Sequence, residues 1–283
     1  MIIFFESGRL GNQLFQLSFL LNYDKGKVVI FGMNQLNNYF YAKNIIFIKK
    51  RNNRILNFLI FKLFKFFITL ISYNLRLINY IKESNDNNLV FRNGLFKSLY
   101  YCDESYFQSE IYITTNFLSK IKLKDKYLHK AYDIINNHKK GYDKIFFIHI
   151  RRGDYLFWPT IKNPASININ WYLKQISFLQ DLYDNSLFLI ISDDKDYINT
   201  EFKEIRNCKI IDYYEPLEFG IMSICDGGVL SASTFAYWAS RFSYRNNNNN
   251  IYIAPLYWVG HSTGLWNPVN IKSSWLTYKE VII

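Results

Sequence analysis

Two consecutive arginines follow an apolar stretch in the middle of the chain. The segment Phe147-Ile148-His149-Ile150-Arg151-Arg152-Gly153-Asp154 begins as a buried strand would and ends in two guanidinium groups and a carboxylate. Ligands of open α/β sheets bind beyond the carboxyl ends of the strands, and arginine matches phosphate oxygens with parallel hydrogen bonds. We therefore expect Arg151 and Arg152 to bind a diphosphate, and His149 to orient an arginine or donate to a base. The alternative is a solvated turn with a local ion pair.

Small hydroxyl residues mark a second candidate anion site. Gly227-Gly228-Val229-Leu230 has the composition of a buried strand, and Ser231-Ala232-Ser233-Thr234-Phe235 follows it at the start of a predicted helix. Backbone N–H groups and serine hydroxyls at the start of a helix can bind an anion. The alternative is an ordinary serine cap.

Two glycines three residues apart lie near the beginning of the chain, in Ser7-Gly8-Arg9-Leu10-Gly11-Asn12-Gln13. Glycine lets a strand-to-helix turn pass close to a ligand, and Arg9 and Asn12 would then project into a cleft. The spacing is not GxGxxG, so the usual dinucleotide fingerprint is absent. A plain glycine-containing turn is the alternative.

Carboxylates follow a further apolar run, in Ser192-Asp193-Asp194-Lys195-Asp196. They could hold a metal-bound sugar nucleotide, accept hydrogen bonds from a base or ribose, or cap a helix. We favour hydrogen bonds from the nucleotide to Asp193 and Asp194. The cysteines and histidines show no zinc-type spacing, so no metal site is predicted.

The elements that position these residues form two series of alternating strands and helices, as in α/β folds. The predicted boundary at 140/141 separates an N-terminal domain, 1–140, from a C-terminal domain, 141–283, with a cleft between them. The last residues could pack back on the N-terminal half. The predicted strands are Ile2–Phe5, Val28–Phe31, Ile145–Ile150, Leu187–Ile191, Lys209–Asp212, Gly228–Leu230 and Tyr252–Ala254, and the predicted helices are Gln13–Leu21, Trp171–Tyr183, Glu218–Cys225 and Thr234–Phe242.

The net charge of +11 comes from one part of the chain, the basic segment 25–82. It contains eleven lysines and arginines and no acidic residue. Removing these eleven from the 34 basic residues leaves 23, which balance the 23 acidic ones. Such a segment is expected to meet something anionic.

Within the basic segment, Ile55–Ile71 is nearly long enough to cross a bilayer. Lysine costs about 2.5–3.5 kcal/mol at the centre of a membrane-spanning helix, so Lys62 and Lys65 argue against a span. We expect a helix that lies in the membrane interface, or a core helix with lysines at its edge. Three widely spaced cysteines and an N-terminus unlike a signal peptide favour a reducing cytoplasmic compartment.

Taken together, the four motifs resemble those of the α-1,2-fucosyltransferases of glycosyltransferase family 11. Their order and spacing agree over nearly the whole chain. The chain departs from the family pattern at Ala232, where asparagine is usual, and at Tyr237-Trp238, where two tryptophans are usual. The resemblance implies a GT-B fold of two Rossmann-like halves. GDP-fucose would bind mainly to the C-terminal domain and the acceptor mainly to the N-terminal one.

The resemblance also implies the reaction: inverting transfer from GDP-β-L-fucose to the 2-hydroxyl of a galactose-containing glycan, without a metal or other cofactor. Arg151 and the helix start at Ser233-Thr234 would stabilise the leaving GDP. Asp154 is the candidate base, or else an ion-pair partner that positions an arginine, and Asn12 could orient the acceptor. The implied binding residues are Gly8, Arg9, Gly11, His149, Arg152, Asp193, Asp194, Ser231, Ser233, Thr234 and Phe235.

The sequence is also compatible with other functions. The chain could be a fucosyltransferase of another linkage, a GT-B enzyme for another GDP-sugar, or a non-catalytic binder of polyanions or membranes. The expected partners are GDP-fucose and a galactoside acceptor, which could be lipid-linked, and no nucleic acid. Residues 49–82 would make a peripheral contact with an anionic membrane at its cytoplasmic face.

Overall fold

The apolar run at the start of the chain forms a central strand of a largely parallel sheet. A computed structural model describes residues 1–23, 26–84 and 88–282; Lys25 of the basic segment lies outside them. The strands are β1 (Ile2–Phe5), β2 (Val28–Phe31), β3 (Phe40–Ala42), β4 (Ile45–Ile48), β5 (Ile78–Glu83), β6 (Leu89–Arg92), β7 (Phe96–Cys102) and β8 (Ile121–Leu123). The sheet has the order β4-β2-β1-β7-β5-β6, with β6 antiparallel to β5, and β3 pairs with β8 in a separate two-stranded sheet.

Helices connect and cover these strands. The first begins directly after the Gly8-Arg9 turn and buries nearly all of its side chains, because it is apolar around most of its circumference. The helices are α1 (Leu10–Asn22), α2 (Asn34–Tyr39), α3 (Arg54–Asn74) and α4 (Thr115–Lys120). Both predicted strands and the predicted helix of this region are confirmed.

Helix α3 packs one face on the sheet and leaves a wide apolar face exposed. Ile68 and Ser72 are buried, and Ile68 belongs to a cluster with Phe5 and Tyr101. On the other face, Ile55 is 74% exposed and Phe66 70%. By length and composition, this helix could cross a membrane. Two of its stretches, 58–63 and 70–74, are π-helical. The helix therefore combines a sheet-packed side with an apolar surface that the described residues leave uncovered.

A second sheet and its covering helices follow along the chain. The strands are β9 (Lys144–Ile150), β10 (Ser186–Ser192), β11 (Cys208–Ile210), β12 (Gly227–Leu230), β13 (Ile251–Pro255) and β14 (Thr277–Lys279), and the helices are α5 (Asp125–Lys139), α6 (Ile169–Leu182), α7 (Lys195–Phe202), α8 (Glu215–Met222) and α9 (Thr234–Tyr244). This sheet is entirely parallel and has the order β11-β10-β9-β12-β13-β14. Counted from β9, this is the 3-2-1-4-5-6 order of dinucleotide-binding domains, whose ligands bind where the strand order reverses, here between β9 and β12.

The chain divides into two compact units, Met1–Lys122 and Leu123–Ile283. The division precedes the expected 140/141 because α5 packs against α8, where Gly220 approaches the side chain of Ala131. The end of the chain forms contacts within the second unit. β14 pairs with β13, and the carbonyl of Glu280 accepts a hydrogen bond from Trp171 Nε1 (2.9 Å).

Candidate functional site

The carboxyl ends of β10, β9 and β12 are neighbours at one edge of the second sheet. Because parallel strands all end at the same edge, residues far apart in sequence meet there. The edge brings together eight predicted site residues from three of the four motifs: His149, Arg151, Arg152, Asp154, Asp193, Asp194, Ser231 and Phe235.

Arg151 is held between two carboxylates. One terminal nitrogen lies 2.9 Å from Asp193 Oδ2, and the other donates to Asp154 Oδ1. The side chain of Asp154 is 54% exposed, whereas that of Asp193 is 25% exposed. Asp154 is therefore the partner that can leave Arg151 at lower cost.

Arg152 is fixed by a separate set of contacts. Its Nε lies 3.0 Å from Asp194 Oδ2, and its guanidinium carbon lies 3.5 Å from the centre of the Tyr197 ring. Asp194 also caps α7 by accepting a hydrogen bond from the Tyr197 backbone N–H (3.1 Å). The cap places the ring beneath the arginine, so the start of α7 and the cation–π contact support each other.

Asp193 links the two arginines. Its Oδ1 accepts the backbone N–H of Arg152 (2.8 Å), while its Oδ2 pairs with Arg151. A Cβ at position 153 would lie only 2.5 Å from Asp193 Oδ2. A side chain at position 153 would therefore displace this carboxylate from its present place beside the turn.

His149 is buried and bonded within the sheet edge. Its Nδ1 lies 2.9 Å from Ser231 Oγ, and its backbone carbonyl accepts the Ser231 N–H (3.0 Å). Burial, together with the charge of Arg151, lowers the pKa of His149 to about 3, so the imidazole is neutral at pH 7. The imidazole and the Ser231 hydroxyl therefore hold β9 and the turn after β12 together.

The turn after β12 leads into helix α9 as expected. Ser233 is the residue before the helix, and its backbone N–H donates to the Ser231 carbonyl (2.6 Å). The hydroxyl of Tyr155 donates to the carbonyl of Ala232 (2.9 Å). The first turn of a helix has N–H groups without intrahelical acceptors, and α9 begins at Thr234 and Phe235. This turn can therefore present N–H donors to an anion.

The remaining predicted residues lie in the first unit, after β1. Gly8 has φ +72°, a left-handed conformation that favours glycine. Arg9 is exposed, Gly11 is buried within α1, and Asn12 Oδ1 accepts a hydrogen bond from Gln108 Nε2 (2.8 Å). The loop is thus a turn held by the conformation of Gly8 and the hydrogen bond to Asn12, and it carries the exposed Arg9.

The sequence motifs gave no role in the site to Tyr155 or Tyr197, and Gly153 appeared in them only as part of the turn. Only Tyr197 carried a usable signal, because it lies three residues after the Asp194 cap, where a capped N–H is expected. In the ranges 1–23, 26–84 and 88–282, no group of three or more His, Cys, Asp or Glu side chains is arranged for a metal ion.

The sequence model of glycosyl transferase family 11 matches residues 4–277, which confirms the resemblance. The O-antigen biosynthesis glycosyltransferase WbnK of Escherichia coli is 23% identical over 201 residues, 64% of this chain and 62% of the relative. An Escherichia coli alpha-1,2-colitosyltransferase is 28% identical over 122 residues, 39% and 40% of the two chains. The matches thus span less than two thirds of these relatives' lengths.

A solved structure supports the fold. The NodZ alpha-1,6-fucosyltransferase soaked with GDP-fucose superposes with a TM-score of 0.52 at 12% identity, over 84% of this chain and 91% of that one. The predicted GT-B fold, with two Rossmann-like halves, is confirmed.

Proposed function

Because the chain belongs to glycosyltransferase family 11, we propose that it transfers L-fucose from GDP-β-L-fucose to the 2-hydroxyl group of a galactose-containing glycan. The observation that carries this proposal is Arg151, an arginine just beyond a strand end that is held by one well-anchored and one exposed carboxylate. A diphosphate can take the place of the exposed Asp154 carboxylate on this guanidinium.

The donor binds to the second unit through its diphosphate. Arg151 and the N–H groups at the start of α9 contact the β-phosphate, which becomes more negative as the bond to the sugar breaks. Fixed donors of this kind each contribute about 2.7–4 kcal/mol to transition-state stabilisation. Asp193 and Asp194 act on the arginines, and His149 and Ser231 hold the edge together.

Transfer proceeds with inversion. The bond between the anomeric carbon and the β-phosphate oxygen breaks, and the galactose 2-hydroxyl oxygen bonds to the opposite face of a centre with oxocarbenium character. Asp154, released when the diphosphate takes Arg151, accepts the hydroxyl proton. Arg9 and Asn12, on the loop formed by Gly8 and Gly11, orient the acceptor. No metal takes part, so excess EDTA should leave the rate unchanged.

Incubation with GDP-fucose and a panel of β-galactosides tests the proposal. We expect a product heavier by one deoxyhexose residue, with an α-linkage to O2 of galactose by NMR. The absence of transfer to every galactoside, or a β-linked product, would contradict it. Loss of the rate in EDTA with recovery on Mn²⁺ or Mg²⁺ would contradict the metal-free mechanism alone.

A second candidate is colitosyl transfer, which the likeness to an alpha-1,2-colitosyltransferase favours. A different linkage is a further alternative, since the NodZ enzyme of similar fold makes an α-1,6 bond. Donor competition separates the first alternative, and product NMR the second. A non-catalytic polyanion binder would instead lose GDP at high salt, because purely electrostatic binding weakens with ionic strength.

We also propose that the acceptor is lipid-linked and that α3 rests on the anionic cytoplasmic face of a membrane. Exposed Phe66 and Ile55 supply apolar contact, and the basic segment supplies charge. Phosphatidylglycerol vesicles should bind the protein more strongly than phosphatidylcholine vesicles. Phe66→Ser should weaken that binding, whereas Ile111→Ser, at an equally exposed apolar residue outside α3, should not. Equal binding of both vesicle types would contradict this part of the proposal.

A further inference from the structure

A cavity of about 510 Å³ lies in the first unit beside helix α3. Its lining combines residues of α3 with residues that follow β1, β4 and β7, which run parallel and end at one edge of the sheet. Ligand sites of α/β sheets are typical of this edge, and the volume lies within the range of about 300–1,000 Å³ for small-molecule sites. The cavity therefore has the position and the size of a binding site.

The charges in the cavity are only partly compensated. Its six ionisable side chains are the cations Lys50, Arg54, Lys62 and Lys65 and the carboxylates Glu6 and Glu104. Glu6 pairs with Lys50, and Glu104 pairs with Lys65 (2.6 Å). Arg54 and Lys62 have no carboxylate partner within the described part of the chain. Two cations are thus available to a ligand.

The ion pairs with Glu6 and Glu104 also fix the positions of Lys50 and Lys65. Glu6 accepts a hydrogen bond from the backbone N–H of Met33 in addition to its ion pair, so it is anchored from two sides and holds Lys50 at the cavity edge. Three aromatic rings line the remaining wall: Phe5, Phe58 and Phe61. A ligand for this site needs an anionic group and an apolar or sugar face that can lie against a ring.

We propose that this cavity binds the phosphoryl group of the acceptor, a saccharide phosphorylated at its reducing end. The inference rests on the proposed transfer reaction and names the substrate class of the acceptor side. Arginine and lysine match phosphate oxygens with charge-assisted hydrogen bonds, and the exposed apolar face of α3 suits a lipid attached to that phosphate. A soluble sugar phosphate and a lipid-linked diphosphate share the chemistry that the cavity recognises.

Direct binding separates the cavity from the donor site. Titration with an undecyl diphosphate, in saturating GDP, should give a dissociation constant that rises at least tenfold in the double variant R54Q/K62Q, because hydrogen bonds to charged groups are lost. The matched control is K49Q/R51Q, which removes two equally exposed charges that do not line the cavity. An equal loss of affinity in both variants would mean attraction to net charge alone and would overturn the inference.

Transfer assays test the role in the reaction and identify the source of the phosphate. Three acceptors share one disaccharide and carry a benzyl group, a 1-phosphate or an undecyl diphosphate. We expect R54Q/K62Q to raise KM at least tenfold for a phosphorylated acceptor and to leave the benzyl glycoside unchanged. Use of both phosphorylated acceptors indicates a phosphate site alone, and use of the undecyl diphosphate alone indicates a lipid-linked acceptor.

The outcomes also distinguish this inference from the proposed function. If no acceptor receives fucose but the undecyl diphosphate binds as predicted, the transfer reaction is wrong and the site stands as a phosphate site. If the benzyl glycoside is fucosylated and R54Q/K62Q changes all three acceptors equally, the cavity is not a phosphate site, although the enzyme is a fucosyltransferase.

Discussion

The two units differ in how their positively charged side chains are paired with carboxylates. In the second unit, Arg151 and Arg152 lie against Asp154, Asp193 and Asp194, so each guanidinium is held in a fixed direction. In the first unit, the basic segment provides no acid of its own, and the carboxylates that pair with its lysines come from other parts of the chain: Glu6, Asp103 and Glu104. Paired cations provide geometry for a reaction, whereas unpaired ones provide attraction, which salt weakens.

The substitution Arg151→Ala is expected to have the largest effect on the reaction. If the held guanidinium stabilises the leaving diphosphate, kcat should fall by about 100-fold or more, while the chain remains folded because the side chain lies at the edge of the sheet. Initial rates and a urea denaturation curve measure the two effects. Arg206→Ala, at an exposed arginine of the same unit, is the control. If the variant keeps more than about a tenth of the wild-type rate, Arg151 does not stabilise the leaving diphosphate as proposed.

Asp193→Asn should have the next largest effect. The amide can still accept the Arg152 N–H, but it loses its charge toward Arg151, which is then held by Asp154 alone. Charge-assisted hydrogen bonds contribute about 1.5–3 kcal/mol, so kcat should fall by about tenfold or more. Asp181→Asn changes the same charge at an exposed site. Equal rates in the two variants would show that Asp193 does not position Arg151.

The buried His149 of the second unit is a further test, because it is neutral beside the charged Arg151. The pKa of His149 is lowered to about 3, against about 6.5 in an unfolded chain. Between these values only the unfolded state binds the proton, so the free energy of unfolding falls with decreasing pH, by up to about 1.4 kcal/mol per pH unit.

We expect His149→Asn to lose that part of the slope between about pH 6 and pH 4, in urea denaturation at each pH. His129→Asn, at an exposed histidine, is the matched control substitution. Parallel curves for the wild type and His149→Asn would contradict a neutral, buried imidazole.

The smallest expected effect is a difference in salt dependence. Raising NaCl from about 0.05 M to about 0.5 M shortens the Debye length from about 14 Å to about 4 Å. The affinity for undecyl diphosphate should fall several-fold, because Arg54 and Lys62 have no carboxylate partner within the described residues. The affinity for GDP should fall less, because the diphosphate replaces the carboxylate of Asp154 on Arg151, and Asp193 and Asp194 stay beside the arginines. Equal slopes in calorimetric titrations would remove the distinction between the units.

Short apolar runs made the sheet strands readable from the sequence. β1 and β2 have the predicted bounds, and the residues that follow β9, β10 and β12 meet because parallel strands share one edge. The sequence did not show that the boundary between the two units precedes α5. This helix has the same hydrophobic pattern whichever unit it joins, and its partner α8 lies about 80 residues later in the chain.

Contacts between side chains that are far apart in the sequence could not be predicted from local patterns either. The stack of Tyr197 on Arg152 needs two strand ends to meet, and the cavity needs Glu6, Lys50 and Glu104 to meet. Helix α3 itself was predicted, but which of its faces would pack depended on the sheet beneath it. Sequence periodicity therefore located the elements, and only their packing located the contacts.

The π-helical turns of α3 bear on how the length of this helix can change during evolution. A π turn closes its hydrogen bond over one more residue than an α turn. Loss of one residue within 58–63 would convert that turn to α-helix and leave Lys65 and Ile68 pointing as they do now. The same loss in an α-helical stretch would rotate everything beyond it by about 100°. Single-residue insertions and deletions among homologous chains should therefore collect at 58–63 and 70–74.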